Sequence, residues 1–389
     1  MLSLPAGVTM KRSRGMESTS VAGLPIEPSR VAVPMNLPWV ESPFFEAILP
    51  TKRLSREQER LARQYHQEGY VVLENAFSTE LAARIVAETA PLFTDAPDGP
   101  RSRYRVQDGW RDSEAVQELA SNPRVLNLLQ LLYGRAPFPF QTLNFRRGSQ
   151  QAGHSDQIHF SSIPARYMCG AWAALEDVDD ANGPLFYFPR SHRLPEYDLY
   201  DIGLSVENPA YPEYEKFVAA LMAAHGFEAR RLHVRRGNVL IWSSNIVHGG
   251  TRIADPARTR QSQVTHYYFA DCIYYTPVCS NRTMGEYALR EDIIDIRTGE
   301  RVRQSYNGRP FRALPLGSGR KFIDLGTAGA VGADAPAAPG DAKTEMLQRE
   351  IDRLRASVTY RVGQVITAPL KLARSRVEPY YRRLKSMLP

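Results

Sequence analysis

Residues 235–269 read RRGNVLIWSSNIVHGGTRIADPARTRQSQVTHYYF. Two short runs of branched and aromatic residues, Val239 to Trp242 and Val264 to Phe269, stand among turn formers. Arg236-Gly237-Asn238 precedes the first run and His248-Gly249-Gly250 follows it. Such runs predict strands, because branched and aromatic side chains pack well on a pleated surface and Gly and Asn supply the turns. The pattern extends upstream through Phe138 to Phe145, Met168 to Leu175 and Leu185 to Phe188, punctuated by Arg147-Gly148-Ser149 and Asn182-Gly183-Pro184.

Further upstream the period changes. Leu54 to His66 has helical character, with Ser55 as N-cap and Glu57 and Glu59 in the first turn. Gly69 to Leu73 reads as a short strand, Ser78 caps a second helix to about Leu92, and Ala115 to Leu132 reads as a third. Tyr211 to Gly226 reads as a helical insertion between core strands. Many short strands after a helical preface predict a mainly β protein with flanking helices (α+β), a two-sheet core with helices outside.

Four regions follow. Residues 1–50 are expected to be a disordered or extended lead-in without a secretory apolar run. Residues 51–325 form the expected domain. Residues 326–343, GTAGAVGADAPAAPGDAK, cannot build a core and read as a flexible linker. Residues 344–389 read as a basic amphipathic helical tail, with Leu347, Ile351, Leu354 and Val358 at helical spacing. No run reaches the roughly 18 apolar residues of a membrane span.

The net charge of +7 suggests nucleic acid, but its location argues otherwise. Thr344 to Pro389 hold ten Lys/Arg against four Asp/Glu, which leaves the body near neutral. No nucleic-acid partner is expected. The three cysteines, Cys169, Cys272 and Cys279, are too few and too irregular for a disulfide framework and imply reduced thiols in a reducing compartment.

Among eight histidines, His154 stands in an H-x-D unit with Asp156. On extended backbone, residues i and i+2 point to one side, so an imidazole and a carboxylate can reach one metal. A second imidazole must come from elsewhere, and His248 is the best candidate. Two His and one carboxylate on one face of Fe(II) leave three positions open, two for a chelating 2-oxo acid and one for O2. Oxidative decarboxylation then yields succinate, CO2 and an oxidant that takes hydrogen from a C–H bond. H-x-D alone is weak, since a satisfied surface or core histidine is the commoner reading. Arg258-Thr259-Arg260-Gln261-Ser262 strengthens it: Arg260 and Ser262 share a strand face and can grip a distal carboxylate. Arg258 competes for that role, and Arg260 is favoured because it enters the apolar strand.

HSDQIHF (154–160), GAWAALEDVDDANGPLFYFPRSHR (170–193) and the opening stretch together resemble the phytanoyl-CoA dioxygenase family, over about Gln64 to Tyr275. The resemblance implies a double-stranded β-helix (jelly-roll, cupin-like) and a dioxygenase using Fe(II), 2-oxoglutarate and O2. It carries the iron ligands onto His154, Asp156 and His248, the 2-oxoglutarate arginine onto Arg260, and a packing aromatic onto Trp172. In PRSHR, Arg190 stands where the family's P-G-S-H pattern has glycine. Asp156 is retained where related halogenases replace the carboxylate, which favours hydroxylation or desaturation.

Other polar residues carry blander readings. His159 would face away from His154 on a continued strand and is a candidate substrate-pocket residue; an alternative metal pair uses it with Asp156. His192 is expected to support a loop, with substrate contact as the alternative. His266 shares the Arg260 face and is expected just behind the ligands. Gln141 and Asn144 are candidate co-substrate partners, although solvent-facing strand residues are commoner. Trp242 reads as core. The expected substrate is a small or carrier-linked molecule. The expected location is cytoplasmic, with residues 344–389 offering a peripheral contact at the inner face of a membrane, or a coiled-coil contact. The segment SVTYRVGQVITAPL (357–370) resembles a C-terminal element of bacterial surface-polysaccharide enzymes. Two rival functions remain: a catalytically silent β-helix that binds ligands or acts as a scaffold through its tail, and a divalent-metal hydrolase on the same scaffold.

Overall fold

The computed structural model describes residues 36–97, 99–205, 211–316 and 319–325. The expectations for 1–35, for the linker 326–343 and for the tail 344–389 lie outside the described residues.

The expected lead-in to residue 50 is corrected from residue 36 onward. Trp39, Val40, Phe45 and Leu49 are buried. Trp39 Nε1 donates to Leu131 O at 2.8 Å, and Phe45, opening helix α1 (Phe45–Ile48), stacks on Trp39 and His66. The aromatic content of this segment outweighs its prolines, since each buried large side chain contributes about 1.5–3 kcal/mol.

Helix α2 (Arg56–Glu68) starts at Ser55, whose hydroxyl accepts from Gln58 N while the Gln58 side chain accepts from Ser55 N. It ends at Gly69, whose φ of 82° only glycine adopts cheaply. Strand β1 (Tyr70–Leu73) follows, then α3 (Thr79–Thr89), capped by Ser78, and β2 (Arg105–Gln107). The single helix expected over Ala115 to Leu132 is two, α4 (Glu114–Ala120) and α5 (Pro123–Tyr133). Pro123 has no N–H to continue the first helix, and the Asn122 side chain caps the second.

Next come β3 (Pro137–Phe145), β4 (Ser161–Ile163), β5 (Met168–Ala174) and β6 (Leu185–Tyr187). Helix α6 (Tyr211–Ala224) is the expected insertion. The chain continues through β7 (Arg230–Arg231), β8 (Val239–Ser243), β9 (His248–Gly250), β10 (Ser262–Phe269) and β11 (Ile273–Tyr275). A hairpin of β12 (Arg312–Pro315) and β13 (Lys321–Asp324) ends the described chain.

One antiparallel sheet has the order β1-β8-β5-β10-β3-β2, and a smaller one the order β7-β6-β9. Strands β5, β8 and β10 are buried on both faces, which explains their unbroken apolar runs. One face of the large sheet packs on the helices: Phe269 stacks on Tyr133 at 3.9 Å, and Tyr267 donates to Ala120 O. The other face meets the small sheet through Trp172, Leu240 and Trp242 against Leu185 and Tyr187. Antiparallel sheets face to face with helices outside match the expected mainly β class with flanking helices. Asn144, expected toward solvent, is buried on the helix side and donates to Gln263 Oε1, while Gln263 donates to Val116 O.

A network of buried charges ties distant segments around this frame. Arg166 contacts Glu41 at 2.8 Å and Glu196 at 3.4 Å; Arg282 contacts Glu196 at 3.5 Å and Asp198 at 2.7 Å. Burial raises the Glu196 carboxyl, and the two guanidinium groups oppose it. Glu196 Oε2 in turn accepts from Gln157, the residue after Asp156.

Candidate active site

His154 and His248 are neighbours because their backbones pair: each N–H donates to the other's carbonyl, at 3.0 and 2.9 Å. Ser155, extended at φ −105° and ψ 142°, puts Asp156 on the same side. The three ligand atoms of His154, Asp156 and His248 lie within 4.8 Å of one another, all buried. Asp156 Oδ1 stands 3.8 Å from His154 Nε2 and 3.7 Å from His248 Nε2.

The protons are arranged for a metal. His154 Nδ1 lies 3.0 Å from Ala152 O, and His248 Nδ1 lies 3.1 Å from Ile246 O. A carbonyl only accepts, so each Nδ1 carries the proton and each Nε2 offers a lone pair. Burial, with the His248 charge adding to it, lowers His154 to about 4, which leaves its ring neutral near pH 7. Burial alone would raise the Asp156 carboxyl; the imidazoles of His248, His266 and His154 outweigh it and hold it well below the usual carboxylate range. Two imidazoles and one carboxylate with a shared open side suit iron(II).

Asp156 Oδ2 is held separately. Trp242 Nε1 donates to it at 2.9 Å, and His266 Nε2 stands 3.6 Å away. His266 Nδ1 is 3.0 Å from Gln141 Oε1. Gln141, a candidate co-substrate partner, therefore has its acceptor engaged by His266. Trp242, read as core, reaches the carboxylate; sequence reasoning missed it. The available signal was Gly170, a lone glycine in β5 facing Trp242 across the ladder. A Cβ there would stand 2.4 Å from the Trp242 ring.

A cavity runs from this cluster to Arg260. Its walls include Phe145, Gln151, Trp172 and Val264. Arg260 is almost fully buried, packs over the Trp172 ring at 5.3 Å, and donates to Ser262 Oγ at 3.3 Å. Its Nε has no partner, and among the described residues no carboxylate pairs with it. Burial lowers its pKa to about 10, with Glu176 partly opposing, so it is still a cation near neutral pH. An isolated buried cation is costly unless an anion joins it. A dicarboxylate chelating the metal with one end fits that vacancy in charge. Arg258, the competitor, lies at the surface paired with Asp179 at 2.8 Å.

His159 is placed differently from expectation, whereas His192 takes the loop-supporting place expected for it. Asp156–Ile158 form a 3-10 turn, so the strand assumed for His159 does not continue. Its ring lies 6.5 Å from that of His154, and its Nε2 shares a hydrogen bond with Tyr211 at 3.0 Å. His192 packs against Gly69, with Nε2 3.2 Å from His66 O, and does not line the cavity. Arg190, in place of glycine, still adopts the left-handed conformation at φ 72°, so the loop keeps a glycine-like turn. Cys169 and Cys272 are buried and Cys279 exposed, all free thiols.

Residues 65–261 match the family model described as Phytanoyl-CoA dioxygenase (PhyH). A probable phytanoyl-CoA dioxygenase of Caenorhabditis elegans is 25% identical over 278 residues, 62% of this chain and 83% of that protein. The ectoine dioxygenase of Bordetella parapertussis is 24% identical over 216 residues, 50% of this chain and 70% of that protein. Among solved structures, EctD from S. alaskensis with bound Fe aligns with a TM-score of 0.42 at 21% identity, over 56% of this chain and 77% of that one.

Proposed function

The chain belongs to the phytanoyl-CoA dioxygenase family and is a 2-oxoglutarate-dependent non-haem iron dioxygenase, and on that premise we propose that it hydroxylates an unactivated C–H bond of a small or carrier-linked substrate. The observation that carries this reading is the pairing of a metal-ready His-Asp-His cluster with an unpaired buried arginine in one cavity. Bound iron(II), with 2-oxoglutarate and O2, supplies the oxidation, leaving succinate and CO2.

The residues divide the work. His154 and His248 offer Nε2, and Asp156 offers Oδ1. Trp242 fixes Oδ2, and Gln141 orients His266 beside it. Arg260 and Ser262 grip the distal carboxylate of the co-substrate, and Trp172 packs along it. Asp156 occupies the place a halide would need, which supports oxygen insertion or desaturation. A silent scaffold would have no use for a desolvated, unpaired Arg260 facing a metal cluster.

The relatives' names span phytanoyl-CoA and ectoine, so the family alone does not transfer a substrate. No described helix is long and apolar enough to cross a membrane. The basic residues of 344–389 support a cytoplasmic enzyme held at a membrane surface near a lipid-linked or glycan assembly. Liposome flotation of the full chain against one ending near Leu325 tests this, and equal recovery in the soluble fraction overturns it. The catalytic reading is tested with iron-loaded protein under anaerobic conditions. A metal-to-ligand charge-transfer band should form with 2-oxoglutarate, and O2 should then be consumed as succinate appears. Absence of the band overturns it, and activity without O2 would favour a hydrolase.

A further inference from the structure

β10 carries Val264 and His266 into the cavity wall, and His266 stands beside Asp156. Tyr268 shares their face of the strand, about 7 Å further along and away from Arg260. Its hydroxyl is fully buried and has no hydrogen-bond partner among the described residues. A second polar group belongs to the same neighbourhood. Arg290, from the segment after β11, holds its guanidinium carbon 4.8 Å from the Phe160 ring centre and 5.4 Å from that of Phe140. Its Nε is buried without a partner, and no carboxylate among the described residues pairs with it.

These rings lead back to the metal cluster. Phe140 stacks on Tyr268 at 4.0 Å, and Phe160 lies 4.9 Å from His266. The charge of Arg290 acts on both the His159 ring and the Tyr268 hydroxyl. Arg166 and Arg282, also partly buried, each hold carboxylates, whereas Arg290 holds none among the described residues. A cation over an aromatic face recovers about 0.5–2 kcal/mol, and the partly buried Arg290 guanidinium keeps donors that no protein acceptor among the described residues engages. Arg260 cannot serve this end, because it lies over Trp172 and Phe145 at the far side of the cluster.

We propose that Arg290 and Tyr268 bind an anionic group of the substrate, a carboxylate or a phosphate, with the apolar part of that substrate lying along Phe140 and Phe160 toward His154, Asp156 and His248. The inference deepens the oxygenase reading and rests on it. It makes the substrate an amphipathic anion that enters from the side opposite the co-substrate.

The probes are phenylacetate, phenyl phosphate and the neutral 2-phenylethanol. Each is titrated by calorimetry into metal-free protein and into anaerobic protein loaded with iron(II) and 2-oxoglutarate. Wild type should bind at least one anionic probe ten times or more tighter than 2-phenylethanol, and the two anionic arms identify the head group. Arg290→Met should abolish that preference, Arg290→Lys should retain part of it, and Tyr268→Phe should weaken it severalfold. Affinity for 2-oxoglutarate should be unchanged in all three. Anion binding equal in wild type and a folded Arg290→Met overturns the proposal, as does no anion preference in wild type, or probes that displace 2-oxoglutarate. If Arg290→Met does not fold, an unchanged preference in Arg290→Lys and Tyr268→Phe together overturns it. A missing charge-transfer band in wild type marks failure of the oxygenase reading instead, and the metal-free titration still reads the anion site.

Discussion

Arg260→Met should separate stability from co-substrate binding. Burial takes the Arg260 guanidinium from its usual 12.5 to about 10, with Glu176 only partly opposing and no carboxylate in contact among the described residues. That fall corresponds to about 3 kcal/mol against the folded, ligand-free protein at neutral pH. Arg260 is a base with a lowered folded pKa, so the penalty is fully present below about 10 and is relieved as pH rises from there toward 12.5. Methionine fills much of the same space without the charge. Metal-free Arg260→Met should therefore match wild type in urea unfolding at pH 7 or exceed it by up to about 3 kcal/mol, and the gap should narrow as pH rises through about 10. Binding moves the other way. Removing one partner of a desolvated charge pair costs about 2–5 kcal/mol, which weakens 2-oxoglutarate roughly thirtyfold or more. Saturation at a hundred times the wild-type Kd should stabilise wild type by about 2.7 kcal/mol and the variant by about 0.9 kcal/mol or less. Arg258→Ala is the control: its ion pair with Asp179 is exposed, so affinity for 2-oxoglutarate should not change. A variant destabilised by more than about 2 kcal/mol that still binds 2-oxoglutarate like wild type would refute the reasoning.

Trp242→Phe removes the donor to Asp156 Oδ2 and should weaken iron(II) binding about 10- to 100-fold while folding persists, read by competitive metal titration; unchanged affinity would remove Trp242 from the site. Gly170→Ala should cost about 1–3 kcal/mol in thermal or urea unfolding and also lower metal affinity, because the new methyl displaces the Trp242 ring; a loss of stability alone would show that the ring does not shift. Ser78→Ala should cost about 1 kcal/mol through the lost cap of α3, with metal and 2-oxoglutarate affinities unchanged.

The order of elements and the strands of the core were legible because their signals are local: turn residues, β-branched runs and caps such as Ser55 and Ser78. The break at Pro123 was legible too and was overridden by the apolar period on either side of it. The fate of residues 36–50 was not, because Trp39 and Phe45 are held by Leu131 and His66, far away in sequence. The candidate site divides in the same way. His154 and Asp156 are two residues apart, and Arg260 and Ser262 likewise, so their shared faces follow from strand geometry. His159 was misplaced because a 3-10 turn begins at Asp156, and nothing in HSDQIHF signals that turn. Trp242 and Arg290 depend on what lies opposite them across the fold, which one-dimensional periodicity does not encode.

β10 keeps two ledgers on one ribbon. Its odd-numbered side chains, Gln263, Tyr267 and Phe269, are tied to α4 and α5, whereas Val264 and His266 line the cavity. Variation can then act on one without the other. A change at 264 alters the cavity wall and leaves the helix contacts intact, while changes at 263 or 267 alter persistence of the fold without touching that wall. A lineage carrying this strand can try new substrates one alternate residue at a time.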